Sequence, residues 1–127
     1  VIMNNQKISE SDKLSNEFER VIKIALKSNV MMQLKSSEVK NFFDKKPDCG
    51  IHKIQYNNGT NLKSVKSIVK TELRGKKEVL AVMRGNKKTT LDHLNSIWTV
   101  ILKNIGSTSW AYYQSNKSDN SIYLFTH

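Results

Sequence analysis

Glu78-Val79-Leu80-Ala81-Val82-Met83, followed by Arg84-Gly85-Asn86, is the stretch on which the fold turns. A short, continuous apolar run of this kind is the pattern of a strand covered on both faces, and Arg84-Gly85-Asn86 then turns the chain. Upstream, Ile51-His52-Lys53-Ile54-Gln55-Tyr56 reads as a strand, stopped by Asn57-Asn58-Gly59. Thr60 or Asn61 can then cap a helix with Leu62, Val65, Ile68, Val69 and Leu73 on one face. Gly75 ends that helix, as a left-handed glycine commonly does. Downstream, Thr89 or Thr90 caps a longer helix bearing Leu91, Leu94, Ile97, Trp98, Ile101, Leu102 and Ile105, with Gly106 at its end. Ser109–Gln114 and Ser121–Phe125, around Asn116-Lys117-Ser118-Asp119-Asn120, read as a hairpin. The order is therefore β-α-β-α-β-β. The expectation is an α+β, two-layer domain: a four-stranded mixed sheet with two helices on one face and right-handed crossovers.

The chain breaks once, at Lys45-Lys46-Pro47-Asp48-Cys49-Gly50, which holds the only proline and reads as a linker. Residues 1–48 are expected to be a helical extension and residues 49–127 the domain proper. In the extension, Ser11 and Asp12 can cap a helix with Leu14, Phe18, Val21, Ile22 and Ala25 on one face. Ser36 or Ser37 can start a second helix presenting Val39, Phe42 and Phe43, while Val30, Met31, Met32 and Leu34 between them are ambiguous. Two amphipathic helices of this kind need a surface to cover.

Composition bounds the chemistry. The chain has 127 residues, 38% of them hydrophobic and 25% charged, enough apolar material for one core. Its apolar runs fall far short of the ~20 residues of a membrane-spanning helix, so no membrane partner is expected. One cysteine, Cys49, excludes an intramolecular disulfide, and three scattered histidines make no zinc-type ligand set. A reducing compartment fits, and no metal or cofactor is expected. No Arg-rich, acid-free targeting segment is visible.

Catalysis finds little support. Cys49 has no neighbour that would lower its pKa, and a nucleophile needs a base in reach with a third group to orient it. His52 falls on a strand, His93 on a helix and His127 at the end of the chain. Gly59, Gly75, Gly85 and Gly106 are single turn glycines rather than a phosphate-cradling loop. The chain is expected not to be an enzyme.

Charge is the stronger signal. Of the formal net charge of +10, residues 1–48 contribute +2 (nine basic, seven acidic) and residues 49–127 contribute +8 (twelve basic, four acidic). Lys63, Lys66 and Lys70 form a stripe away from the apolar face of their helix. Arg74, Lys76 and Lys77 precede the second strand, and Arg84, Lys87 and Lys88 follow its far end. Such a constellation attracts polyanions and binds them salt-dependently, although a charge run is also how a solvated face looks. Tyr56, Trp110, Tyr112, Tyr113, Tyr123 and Phe125 alternate along the expected strands, where they can stack on bases from an open sheet face or simply fill a core.

Residues 51–127 resemble the C-terminal domain of bacterial-type translation initiation factor 3. The element order is the same, and Ile54-Gln55-Tyr56-Asn57-Asn58-Gly59-Thr60-Asn61 has the shape of the family's first strand and turn. Met83-Arg84-Gly85-Asn86-Lys87 is similar to the end of its second strand, with Asn86 where the family has arginine. The resemblance implies a non-catalytic, monomeric factor that binds small-subunit ribosomal RNA, opposes subunit joining and supports start-codon selection. It implies phosphate neutralisation by Lys76, Lys77, Arg84, Lys87 and Lys88, with Gly85 letting the backbone approach RNA. The N-terminal helices would pack on ribosomal protein or rRNA, and a mitochondrial form is favoured over one of the bacterial cytoplasm. The alternatives are a small, toxin-like ribonuclease using His52, His93 and His127 on tRNA or rRNA, and an Alba-like nucleic-acid packager.

Overall fold

The computed structural model describes residues 16–24, 26, 34–45 and 50–127. The helix cap at Ser11 and Asp12, Leu14, Ala25, Val30, Met31, Met32 and the linker residues 46–49 lie outside that set. The elements are α1 (residues 16–24), α2 (Ser36–Lys45), β1 (Gly50–Tyr56), α3 (Leu62–Leu73), β2 (Glu78–Gly85), α4 (Leu91–Asn104), β3 (Ser107–Gln114) and β4 (Asn120–Thr126). The α+β expectation holds. The four strands form one mixed sheet in the order β1-β4-β2-β3.

Local chemistry explains the helix boundaries. Asn61 accepts a hydrogen bond from the Lys63 amide (2.9 Å) and so caps α3. The Thr90 hydroxyl accepts from the His93 amide (3.2 Å) at the start of α4. Gly75, with φ +75°, lets the chain leave α3 in the left-handed region. One face of the sheet takes Val65, Val69 and Leu73 of α3 with Leu94, Ile97, Ile101 and Ile105 of α4, over Ile54, Tyr56, Val79, Ala81, Met83, Trp110, Tyr112, Ile122 and Leu124. The opposite face is covered by the N-terminal helices, so the described residues form three layers. Phe18, Val21, Leu34 and Phe42 pack on Leu80, Val82, Ala111, Tyr113, Tyr123 and Phe125. Phe18 sits edge-on to both Tyr123 and Phe125, with ring centroids 5.1 and 4.8 Å apart.

Two expectations need correcting. The apolar faces of the helices are narrower than the spacing suggests: Ile68 is 47% exposed, Leu91 64% and Leu102 48%. The last two strands are also not a hairpin. β4 runs antiparallel between β1 and β2, and β3 lies on the far side of β2, parallel to it. The connection from β3 to β4 crosses the end of β2, where the Ser115 amide donates to the Gly85 carbonyl (2.9 Å). Burial accounts for this order. Every residue of β4 is buried, with Ile122 and Leu124 toward α3 and α4 and Tyr123 and Phe125 toward α1 and α2. A strand apolar on both faces belongs in the middle of the sheet, between two neighbours.

Candidate functional site

The sheet has two ends, and they divide the residues of chemical interest. At the C-terminal end of β2 the loops 57–61, 86–90 and 115–119 meet. Asn58 Oδ1 accepts from the side-chain amides of Asn86 (3.2 Å) and Asn120 (2.6 Å). Asn120 Oδ1 accepts from the Asn86 amide (2.9 Å) and the Thr89 hydroxyl (2.8 Å), and Asn86 Nδ2 donates to the Ser118 carbonyl (2.8 Å). Asn86 and Asn120 are buried. This clasp ties three loops together, and only the turn propensity of isolated asparagines hinted at it.

Arg84 belongs to the same structure and does not face outward. It is 5% exposed. Its guanidinium donates to Asp119 Oδ1 (3.2 Å), Ser121 Oγ (2.7 Å) and Ser115 Oγ (3.1 Å). Burial opposes ionisation of the Asp119 carboxyl, but hydrogen bonds from Gln55 and Arg84 and the Arg84 charge outweigh it and hold the carboxyl below its ordinary value. Gly85 leaves room for the Tyr112 ring. A Cβ there would meet Tyr112 Oη at 2.6 Å.

The remaining cations do not gather in one patch. Lys87 and Lys88 are exposed at the clasp end, while Arg74, Lys76 and Lys77 emerge at the opposite end of β2, about 25 Å away for an eight-residue strand. Lys63, Lys66 and Lys70 run along α3 between the two ends. Lys66 lines a shallow groove of about 500 Å³ with Asp92, Asn95, Ser96, Thr99 and Lys103 of α4. The strand aromatics Tyr56, Trp110, Tyr112, Tyr113, Tyr123 and Phe125 are all buried, and helices cover both faces, so no open face presents them to bases.

The histidines are likewise divided. His52 Nδ1 lies 2.9 Å from Glu72 Oε2, and His127 Nε2 lies 3.3 Å from Glu78 Oε2, both at the Arg74 end. His93 is at the clasp end, its ring stacked on Tyr56 (centroids 5.6 Å apart, 7° between planes) and its Nε2 2.5 Å from the Tyr56 hydroxyl. Burial lowers the His93 pKa and so favours the neutral ring in this pair. No group of three potential metal ligands occurs among the described residues. Between α1 and the sheet, a cavity of about 190 Å³ is lined by Glu17, Arg20, Arg84, Tyr113, Lys117 and Tyr123, among others. Its Glu17 accepts from Lys53 (2.5 Å) and the Tyr123 hydroxyl (2.9 Å), and burial pushes the Tyr113 hydroxyl up to about 12. With its pKa raised, the Tyr113 hydroxyl keeps its proton at neutral pH.

No protein-family model and no curated protein matches the chain. Solved structures do. A point mutant of FtsZ from M. jannaschii superposes with a TM-score of 0.70 at 10% identity, over 94% of this chain and 39% of that one. An FtsZ dimer from M. jannaschii gives 0.63 at 11%, over 79% of this chain and 33% of that one. A GTPγS-bound protofilament of CetZ2 from Haloferax volcanii gives 0.52 at 11%, over 73% and 33%. At these identities the likeness is one of fold, and the chain spans only about a third to two fifths of the FtsZ chains it matches.

That likeness corrects the functional expectations. The fold matches part of the FtsZ and CetZ chains, not initiation factor 3. The motifs behind the earlier resemblance have local explanations: Asn61 caps α3, Arg84 holds Asp119, and Gly85 makes room for Tyr112. Translation initiation, with ribosomal RNA and the small ribosomal subunit as partner, is overturned by the same neighbours, whose fold this chain shares. The ribonuclease alternative has no support either, with its three histidines at opposite ends of the sheet.

Proposed function

We propose that the chain is a non-catalytic assembly module that associates with further copies of itself. The observation that carries this reading is the fold likeness to FtsZ over 94% of the chain, in company with structures described as a dimer and a protofilament. Two further features agree: the five glycines are scattered rather than gathered in a phosphate-cradling loop, and the polar cluster of Asn58, Asn86 and Asn120 ties loops together. Sedimentation velocity on the full chain from micromolar to millimolar concentration tests it. A sedimentation coefficient that rises with concentration is expected; a monomer throughout would overturn the reading.

A further inference from the structure

β3 is an edge strand. It pairs with β2 alone, and among the described residues nothing pairs with its outer edge. Natural edge strands are guarded by lysine, proline, bulges or shortness. β1, the other edge, carries Lys53 and begins at Gly50. β3 is eight residues long and contains no charged residue, proline or glycine.

Beside this edge, α4 leaves an apolar flank uncovered. Leu91 and Leu102 are 64% and 48% exposed, and Trp98, half-buried, leans on Trp110 of β3 with ring centroids 4.6 Å apart. At roughly 100° per residue these three fall within about 40° of one another. They lie on the flank of α4 turned away from α3, since it is Asp92, Ser96 and Thr99 that share a groove with Lys66.

The geometry points to a second copy of this chain as the occupant of this surface: β3 pairs antiparallel with β3 of the partner subunit across a two-fold axis, and α4 packs on α4 of the partner subunit. This rests on the self-association reading and names its interface. The surface is self-complementary. Leu91 and Leu102 are eleven residues apart, about 16 Å, with the Trp98–Trp110 pair between them, so a two-fold axis near that pair sets Leu91 against Leu102 of the partner subunit. Trp98 of α4 touches Trp110 of β3, so α4 borders this edge, and pairing β3 with β3 of the partner subunit brings the two α4 helices side by side. Charge also favours this side. From Leu91 to Gln114 the only formal charges are Asp92 and Lys103, which cancel in a chain of net +10 and lie in the groove facing Lys66 rather than on the apolar flank, so no charge repels a second copy here. Antiparallel pairing opposes the two helix dipoles as well.

Sedimentation equilibrium of the full chain, with hydrogen exchange read on β3, tests the interface. Leu91→Lys with Leu102→Lys is expected to weaken association at least about a hundredfold, since four leucines leave the contact. Ile68→Lys, an equally exposed apolar position on α3, should leave it unchanged. Amides of β3 should gain protection as concentration rises. If wild type associates but the leucine variant associates equally well and β3 gains no protection, this interface is wrong and self-association stands. If wild type stays monomeric, both fall.

Discussion

Gly85 is glycine because Tyr112 occupies the space a side chain would need, with Oη 2.6 Å and Cε2 2.9 Å from an ideal Cβ. Gly85→Ala therefore forces the ring aside in a close-packed core and is expected to cost about 1–3 kcal/mol in chemical denaturation. Tyr112→Phe in the same chain removes the nearest clashing atom and should recover part of that loss. Arg84 and Asp119 make a second prediction. Because the Asp119 carboxyl is held below its ordinary value in the folded chain, the unfolded chain binds its proton more readily as pH falls. Its contribution to stability is complete at neutral pH and is lost as pH drops through the lowered folded value. Asp119→Asn should lower stability at neutral pH and flatten its dependence between neutral pH and about pH 3 in urea titrations. His93 adds slope nearer neutrality with the same sign: held neutral by burial, it costs stability once the unfolded chain takes up its proton.

At the scale of elements, what could be read from the chain was whatever a few neighbouring residues decide. Asn61, Thr90 and Gly75 act within one turn of their helices, and each does what its type and position suggest. Gly75→Ala should cost about 1 kcal/mol of thermal stability, because φ +75° is strained for any side chain. The place of β4 was not legible locally. A short polar loop between two apolar stretches looks the same whether it closes a hairpin or steps across β2, and only burial on both faces of β4 separates the cases. Arg84 was misread for a related reason: its partners Ser115, Asp119 and Ser121 lie more than thirty residues away and leave no periodic trace. The asparagine clasp depends on three loops meeting in space. Asn120→Ala, which strips partners from Asn58, Asn86 and Thr89, is expected to cost about 1–3 kcal/mol in urea titrations.

For the molecule as a whole, net charge and apolar flank pull in opposite directions. Copies with a formal charge of +10 repel one another, and the cations are spread over α3 and both ends of the sheet rather than along the β3 edge. Added salt screens that repulsion over about 10 Å at 0.1 M while leaving apolar burial intact. Self-association should therefore strengthen with salt, whereas a complex held by polyanion contacts would weaken. The association constant of the purified full chain, taken by sedimentation equilibrium across a salt series, decides whether copies assemble through apolar contact. Reversible association that tightens as salt rises is the predicted result. A chain that remains monomeric at every salt and concentration would contradict it.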